Sequence, residues 1–132
     1  MTNAKLFTDG GARGNPGPAA IGGVLTIGEK KFNFSEYIGE ATNNQAEYQA
    51  LLKGLQLAQT HQVEYLTCFL DSELVVRQIN REYKVKDAEL AILFVKIWNL
   101  AQKFKKITFS HVPREMNKTA DKLVNEALDK KI

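Results

Sequence analysis

The sequence predicts an α/β fold in which helices flank a five-stranded mixed sheet. Short runs of aromatic, β-branched and aliphatic residues alternate with longer segments in which apolar residues recur at helical spacing. Three such runs come first in close succession, and each of the remaining two is followed by a helical segment. The resulting order, β-β-β-α-β-α-α-β-α, is typical of a mixed sheet with helices on its faces.

Five runs carry the strand predictions. Gly28 and Glu29 form a tight connection between the second and third runs. Phe32 and Phe34 alternate with polar neighbours in the third run, which supports an antiparallel hairpin. The fourth run is apolar at nearly every position, as expected of a strand covered on both faces. Pro113 ends the fifth run. The predicted strands are residues 4–9, 19–27, 31–38, 65–71 and 107–112.

Four segments predict helices. After the third strand, apolar residues recur every three to four positions, and Thr42 with Gln45 matches the capping box that begins many helices. The third helical segment carries a stripe of large apolar residues from Leu90 to Ala101. The predicted helices are residues 43–60, 72–80, 87–104 and 117–130.

Length and composition predict a single domain spanning residues 1–132. The chain is 44% hydrophobic and 25% charged, which is ordinary for a globular protein. No window has the roughly 18 apolar residues of a membrane span, and the first residues lack the apolar stretch of a signal peptide. We therefore expect a cytoplasmic monomer without a membrane partner. Cys68, the single cysteine, lies in an apolar run and is expected to be a buried reduced thiol. The net charge of +3 is compatible with a polyanionic partner but does not identify one.

Four carboxylates occupy positions of special interest. Glu47 and Asp121 each stand on the apolar stripe of a predicted helix. Asp9 and Asp71 each end a predicted strand. Because ligands of open α/β sheets commonly bind at strand ends, we expect the four acids to converge there.

Each acid also has a purely local interpretation. Asp9 before two glycines is compatible with a turn, and Asp71 before Ser72 with a helix cap. Glu47 and Asp121 are compatible with first-turn acids that favour the helix dipole. Taken together these interpretations fail, because two like charges about 4 Å apart repel by roughly 4 kcal/mol at an effective dielectric of 20. Four converging carboxylates need cations.

Carboxylate oxygens without a cysteine or histidine cluster indicate Mg²⁺ or Mn²⁺ rather than zinc. Two such ions about 3.5 to 4 Å apart suit phosphodiester hydrolysis, since one activates the attacking water and the other stabilises the leaving oxygen. The acids therefore indicate a metal-dependent nuclease.

Four stretches resemble, in order and spacing, the four acidic motifs of the ribonuclease H type 1 family. They are FTDGGARGNPGPAAIG, TNNQAEYQALLKGL, LDSELVV and NKTADKLVNEAL, and the likeness covers nearly the whole chain. The resemblance implies a ribonuclease H-like fold and an endonuclease that hydrolyses the RNA strand of RNA/DNA hybrids. It implies two Mg²⁺ ions, with Mn²⁺ as the alternative, and 5′-phosphate and 3′-hydroxyl ends. The implied catalytic residues and metal ligands are Asp9, Glu47, Asp71 and Asp121.

The resemblance also implies substrate contacts along the minor groove and at phosphates. These fall on Asn15, Thr42, Asn43 and Asn44, while Gly10 lets the backbone and the nucleic acid come close. Amides both donate and accept hydrogen bonds, which suits recognition of the 2′-hydroxyls that distinguish RNA from DNA. Capping of the following helix by Thr42 and Asn43 is the structural alternative.

Two features depart from the better-studied members of the family. Many members insert a basic handle before the long helix. This sequence has only NREYKVKDAEL there, with Arg81, Lys84 and Lys86 as its cations, so we expect no handle and weaker hybrid binding. Many members also carry an assisting histidine on a loop before the last acid. His111 has a compatible position but lies inside a strand pattern, and in a sub-branch with a short V-P-R-E-x-N loop Arg114 is the alternative assisting residue.

Two alternative functions are compatible with the same motifs. Integrases, resolvases and proofreading exonucleases share the architecture, and a missing handle permits activity on double-stranded RNA. The intact G-N-P-G-P and T-N-N stretches favour hybrid cleavage instead. The other alternative is a non-catalytic hybrid-binding domain, which has no reason to keep four inward-facing acids.

Overall fold

Five strands form one mixed sheet in the computed structural model, which describes residues 2–131. The strand order is β3-β2-β1-β4-β5, with antiparallel pairing among the first three strands of the chain and parallel pairing from β1 to β4 and from β4 to β5. The fold class predicted from the sequence is confirmed. The strands are β1 (Asn3–Ala12), β2 (Gly17–Ile27), β3 (Lys30–Ala41), β4 (Tyr65–Leu70) and β5 (Lys106–His111).

Four helices connect or follow these strands. They are α1 (Asn43–Thr60), α2 (Glu73–Ile79), α3 (Ala88–Ala101) and α4 (Lys118–Lys130), with a short 3-10 turn at Arg114–Met116. The predicted capping box is present, because the Thr42 hydroxyl accepts from the Gln45 backbone N–H and the Gln45 side chain accepts from Thr42 N–H. Among residues 2–131, every helix is too short or too polar to cross a membrane.

The sheet separates two packed layers. On one face, α1, α2 and α3 bury the main core, which includes Leu6, Leu51 and Leu55. Cys68 lies in this core as a free and fully buried thiol, as predicted. On the other face, α4 packs against β1, β2 and β3 and buries Val124 over the sheet. The two layers place helices on both sides of β1.

Close approach of α4 to the sheet depends on Gly22. A Cβ atom at this position would lie 2.7 Å from the Ala120 carbonyl oxygen and 2.9 Å from the Val124 backbone nitrogen. Both atoms belong to the helix backbone and cannot move without moving α4. Only glycine allows the helix to pack at this distance.

The prediction that Asp9 ends its strand is wrong. β1 continues to Ala12, because its antiparallel pairing with β2 runs to the end of the strand. The parallel ladder with β4 stops earlier, at the pair formed by Phe7 and Phe69. Asp9 therefore lies inside β1 but beyond the last residue of β1 that pairs with β4. At Asp9, β1 has a neighbouring strand on the β2 side only.

We expect Gly22→Ala to lower the free energy of unfolding by about 2 kcal/mol, because the added methyl group forces α4 away from the sheet. Gly11→Ala is the matched control, since a Cβ there meets only the Val124 side chain at an ordinary distance of 3.8 Å. Urea unfolding of both variants measures the difference. Equal stability of the two would contradict close packing at Gly22.

Candidate active site

A polar cleft of about 450 Å³ opens where β1 and β4 lose contact. The second half of β1, the N-terminal turn of α1, one side of α4 and the two residues that follow β4 line it. The cleft brings together residues that are far apart in the sequence. Its charged lining consists of Asp9, Arg13, Glu47, Asp71, Arg114 and Asp121.

Three of the four predicted acids converge in this cleft. Carboxylate oxygens of Asp9, Glu47 and Asp71 all lie within 4.8 Å of one another. Asp9 is only 8% exposed and Glu47 only 7% exposed. Such a group of hard oxygen ligands, with little access to water, is a donor set that could hold a metal ion.

A glycine and a backbone hydrogen bond position Glu47. The Gly10 N–H donates to Glu47 Oε1 at 2.6 Å, which ties α1 to β1 beside Asp9. A Cβ atom at Gly10 would clash with the backbone carbonyl of Ala46. The packing of α1 thus explains the glycine at this position.

Burial and repulsion between neighbouring acids raise the pKa of two of these carboxyl groups, Asp9 and Glu47. Burial raises the pKa of Asp9 to about 7, and the charge of Asp71 contributes in the same direction. Burial also raises the pKa of Glu47 well above its usual range, with further contributions from Asp9 and Asp71. Carboxyl groups with such shifts mark candidate functional sites.

Asp121 lies beside this group without joining it. It occupies the first turn of α4 and lines the cleft, and its charge raises the pKa of Asp9 further. The three-acid group within 4.8 Å does not include it. The structure therefore brings three predicted acids together and leaves the fourth at the edge of the same cleft.

Asn117 is a site residue that the sequence analysis assigned only to the start of a helix. It is 1% exposed, and its Nδ2 donates to the Thr8 carbonyl oxygen at 2.9 Å and to Asp71 Oδ2 at 3.3 Å. Its side chain makes no capping hydrogen bond to α4. Asn117 thus links β1, Asp71 and the start of α4. An asparagine before a helix is ordinary, so the sequence carried no local signal for this role.

The predicted substrate-binding residues surround the N-terminus of α1. Asn15 Oδ1 accepts from the backbone N–H of Asn43 at 3.0 Å, and Asn43 Oδ1 accepts from Ala12 N–H at 2.8 Å. Asn43, Asn44 and Gly10 line the cleft. Thr42 is half-buried and caps α1, which is the structural alternative to a substrate contact at this residue.

The two candidate assisting residues lie in different places. Arg114 is exposed at the 3-10 turn and lines the acidic cleft. His111 is the last residue of β5, where it pairs in register with Leu70, and it is absent from the described lining of the cleft. The geometry therefore brings Arg114, rather than His111, to the acids.

The connection between α2 and α3 is short, as the sequence suggests. Residues 80–87 join the helices without a helix of their own. Arg81 stacks its guanidinium over the Trp98 ring at 4.4 Å, while Lys84 and Lys86 are exposed. A basic handle is not built into this part of the described chain.

The chain is similar to a known family model and to proteins of bacteria and archaea. A family model described as reverse transcriptase-like matches residues 7–127. The chain is 42% identical over 127 residues to a bifunctional protein of Mycobacterium tuberculosis. The matched region covers 94% of this chain and 35% of that protein. It is 41% identical over 125 residues to ribonuclease HI of Halobacterium salinarum, which covers 93% of this chain and 63% of that enzyme. The chain thus spans about a third of the mycobacterial relative and under two thirds of the archaeal one.

Solved structures agree closely with the fold. The crystal structure of RNase H1 from Halobacterium salinarum has a TM-score of 0.91 at 39% identity and covers 97% of this chain and 98% of that chain. LC11-RNase H1, isolated from compost, was solved in complex with an RNA/DNA hybrid. That complex has a TM-score of 0.88 at 44% identity and covers 97% of this chain and 98% of that chain.

Sequence and fold agree with these relatives from the first strand to the last helix, and the chain belongs to the ribonuclease HI family.

Proposed function

We propose that the protein is an endoribonuclease that hydrolyses the RNA strand of RNA/DNA hybrids with two divalent metal ions, Mg²⁺ or Mn²⁺. The products would carry 5′-phosphate and 3′-hydroxyl ends. The observation that carries the proposal is the group of carboxylates formed by Asp9, Glu47 and Asp71 in an open cleft. The hybrid bound by LC11-RNase H1, a relative of similar fold, supports the choice of substrate.

The cleft residues fit divalent metal ions. Oxygen ligands on three separate elements suit Mg²⁺ or Mn²⁺, and Asp121 supplies a further carboxylate at the edge. Burial of Asp9 and Glu47 makes their charged forms unfavourable until a cation neutralises them. When bound, the ions would activate the attacking water and stabilise the leaving oxygen.

The surrounding residues would orient the substrate. Asn15 and Asn43 use their amide oxygens in backbone contacts, so their amide nitrogens would be the groups that donate to a ligand. Arg114 places a permanent positive charge at the cleft, where it would contact a phosphate of the strand being cleaved. Asn117 holds Asp71 in place by donating a hydrogen bond from within the protein.

We expect Asp71→Asn to lower cleavage of an RNA/DNA hybrid by more than about 100-fold, because the site loses a charge that balances the cations. Its free energy of unfolding in EDTA should equal or exceed that of the wild type, since the variant removes a charge that repels Asp9 and Glu47. Glu29→Gln, in the β2–β3 turn, is the control for loss of an acid outside the cleft. Loss of activity together with loss of stability would instead assign Asp71 a structural role.

The same assay tests the substrate. Cleavage rates on matched RNA/DNA, RNA/RNA and DNA/DNA duplexes should rank the hybrid first. Preference for RNA/RNA would support the alternative of a double-strand ribonuclease, and preference for DNA/DNA would overturn the proposal. Hybrid binding without divalent-dependent turnover would indicate a non-catalytic binding domain.

We expect Arg114→Ala to lower hybrid cleavage by about tenfold, the usual effect of removing a hydrogen bond to a charged group. His111→Ala should stay within about twofold of the wild type, because the His111 side chain lies outside the cleft lining. A titration of Mg²⁺ with both variants separates weaker substrate contact from weaker ion binding. The reverse order of effects would show that His111 is the assisting residue.

Without divalent ions, we expect stability to fall as pH rises. A carboxyl group whose pKa is higher in the folded chain than in the unfolded chain stabilises the fold at low pH and loses that contribution as pH passes its folded value. The pKa of Asp9 is raised from 3.8 to about 7, so the Tm in EDTA should decline between about pH 4 and pH 7. The decline should be smaller for Asp71→Asn, and Mg²⁺ should reverse it in the wild type. Equal pH profiles for the two proteins would contradict the electrostatic coupling.

A further inference from the structure

One part of the sheet has no helix over it. On the face that carries α4, the helix packs against β1, β2 and β3. The side chains that project to this face from β4, from β5 and from Lys5 and Phe7 of β1 remain at least partly exposed. A hollow of about 560 Å³ is lined by Lys5, Thr67, Lys106 and Thr108 at one end of this region, where β1 and β4 begin. We call this region the open half-face, and its residues are Lys5, Phe7, Thr67, Phe69, Lys106 and Thr108.

Two stacked aromatic rings lie in the open half-face. Phe7 and Phe69 are partners across the parallel ladder, and their ring centroids are 4.7 Å apart with an interplanar angle of 21°. Both are half-buried, and neither belongs to the buried hydrophobic clusters formed by residues 2–131. The next residue in the row, Ser110 on β5, is too small to cover the Phe69 ring. A planar ligand could therefore extend the stack on this side.

Three lysines lie on or beside the open half-face. Lys5, Lys31 and Lys106 are exposed on or beside the open half-face. None of the three forms an ion pair with another residue in the described part of the chain. Glu115 is the acid that lines the adjoining hollow. The excess of positive charge favours a polyanion over an acidic or neutral surface.

The open half-face adjoins the acidic cleft along β1. Phe7 precedes Asp9 by two residues, and Phe69 precedes Asp71 by two residues. Residues two apart in a strand share a face and lie about 7 Å apart. Phe7 and Asp9 both lie in β1, so Phe7 lies on the same face of the sheet as Asp9 and next to it. Asp71 follows the last residue of β4, one position beyond the strand that carries Phe69.

We propose that the open half-face binds single-stranded nucleic acid, RNA or DNA, adjoining the acidic cleft. Bases would stack on the Phe7–Phe69 pair, and the phosphates would contact Lys5 and Lys106. Aromatic rings on a sheet surface flanked by cations are the means by which proteins bind single strands without sequence preference. The proposal rests on the proposed function only in taking the cleft as a nucleic-acid site.

Fluorescence anisotropy with labelled oligouridylate and oligothymidylate of about 12 nucleotides tests the proposal. The measurement uses the whole chain in EDTA at low salt, so that turnover does not occur. The double variant Lys5→Glu/Lys106→Glu should weaken binding by about tenfold or more and reduce the dependence on salt. Lys96→Glu, on α3 at the opposite face, is the control and should bind like the wild type. Comparison of the two oligonucleotides shows whether RNA or DNA is preferred.

The aromatic contact is tested separately. Phe69→Leu keeps an apolar side chain but removes the ring, and should weaken binding by about fivefold or more. Phe69→Tyr keeps the ring and should retain binding. Thermal unfolding of each variant shows that the fold is intact.

Several outcomes would overturn the proposal. One is binding by Lys5→Glu/Lys106→Glu within about twofold of the wild type. Another is a wild type that cleaves blunt hybrids but does not bind single strands, which leaves the proposed function intact. A wild type that binds single strands but cleaves no hybrid would refute the proposed function alone. Self-association that the same variants abolish, without oligonucleotide binding, would assign the open half-face to a protein contact.

Discussion

The candidate site depends on the point at which β1 stops pairing with β4. The ladder between these strands ends at Phe7, although β1 continues beside β2 to Ala12. Beyond Phe7, backbone groups on the open edge of β1 are satisfied by side chains, because unpaired backbone groups in a protein interior are costly. The contacts are Asn117 Nδ2 to Thr8 O, Gly10 N to Glu47 Oε1 and Ala12 N to Asn43 Oδ1. These hydrogen bonds satisfy the backbone of β1 on its open edge and also hold Asn117, Glu47 and Asn43 beside that edge.

Two glycines allow helices to pack closely against β1 and β2 on the two faces of the sheet. Gly10 admits α1 with Glu47, and Gly22 on β2 admits α4 with Asp121. The resulting packing buries Asp9 and brings Asp71 and Asp121 near it, so burial first and the neighbouring charges second raise the pKa of Asp9. Packing energy elsewhere in the two layers offsets this cost.

Patterns along the sequence predict most of the elements, because each depends on local periodicity or capping. The box at Thr42 and the inward position of Glu47 are examples. The position of Asp9 inside a strand depends instead on β1 pairing with β2 beyond the last residue that pairs with β4. The apolar run in the sequence does not show where either pairing ends. Asn117 was missed for a related reason, since its partner Thr8 is 109 residues away. Contacts of this kind arise only when distant segments pack.

The order of the elements along the chain has a consequence for synthesis. The close group of acids is complete once residue 71 has been made, but Asp121 and Asn117 arrive with α4, after every strand. A nascent chain that has emerged only through β5 lacks the helix that covers β1, β2 and β3 and the side chain that holds Asp71. Domains fold as units during translation. A chain truncated before Asn117 therefore carries Asp9, Glu47 and Asp71 without the helix and the side chain that organise the cleft.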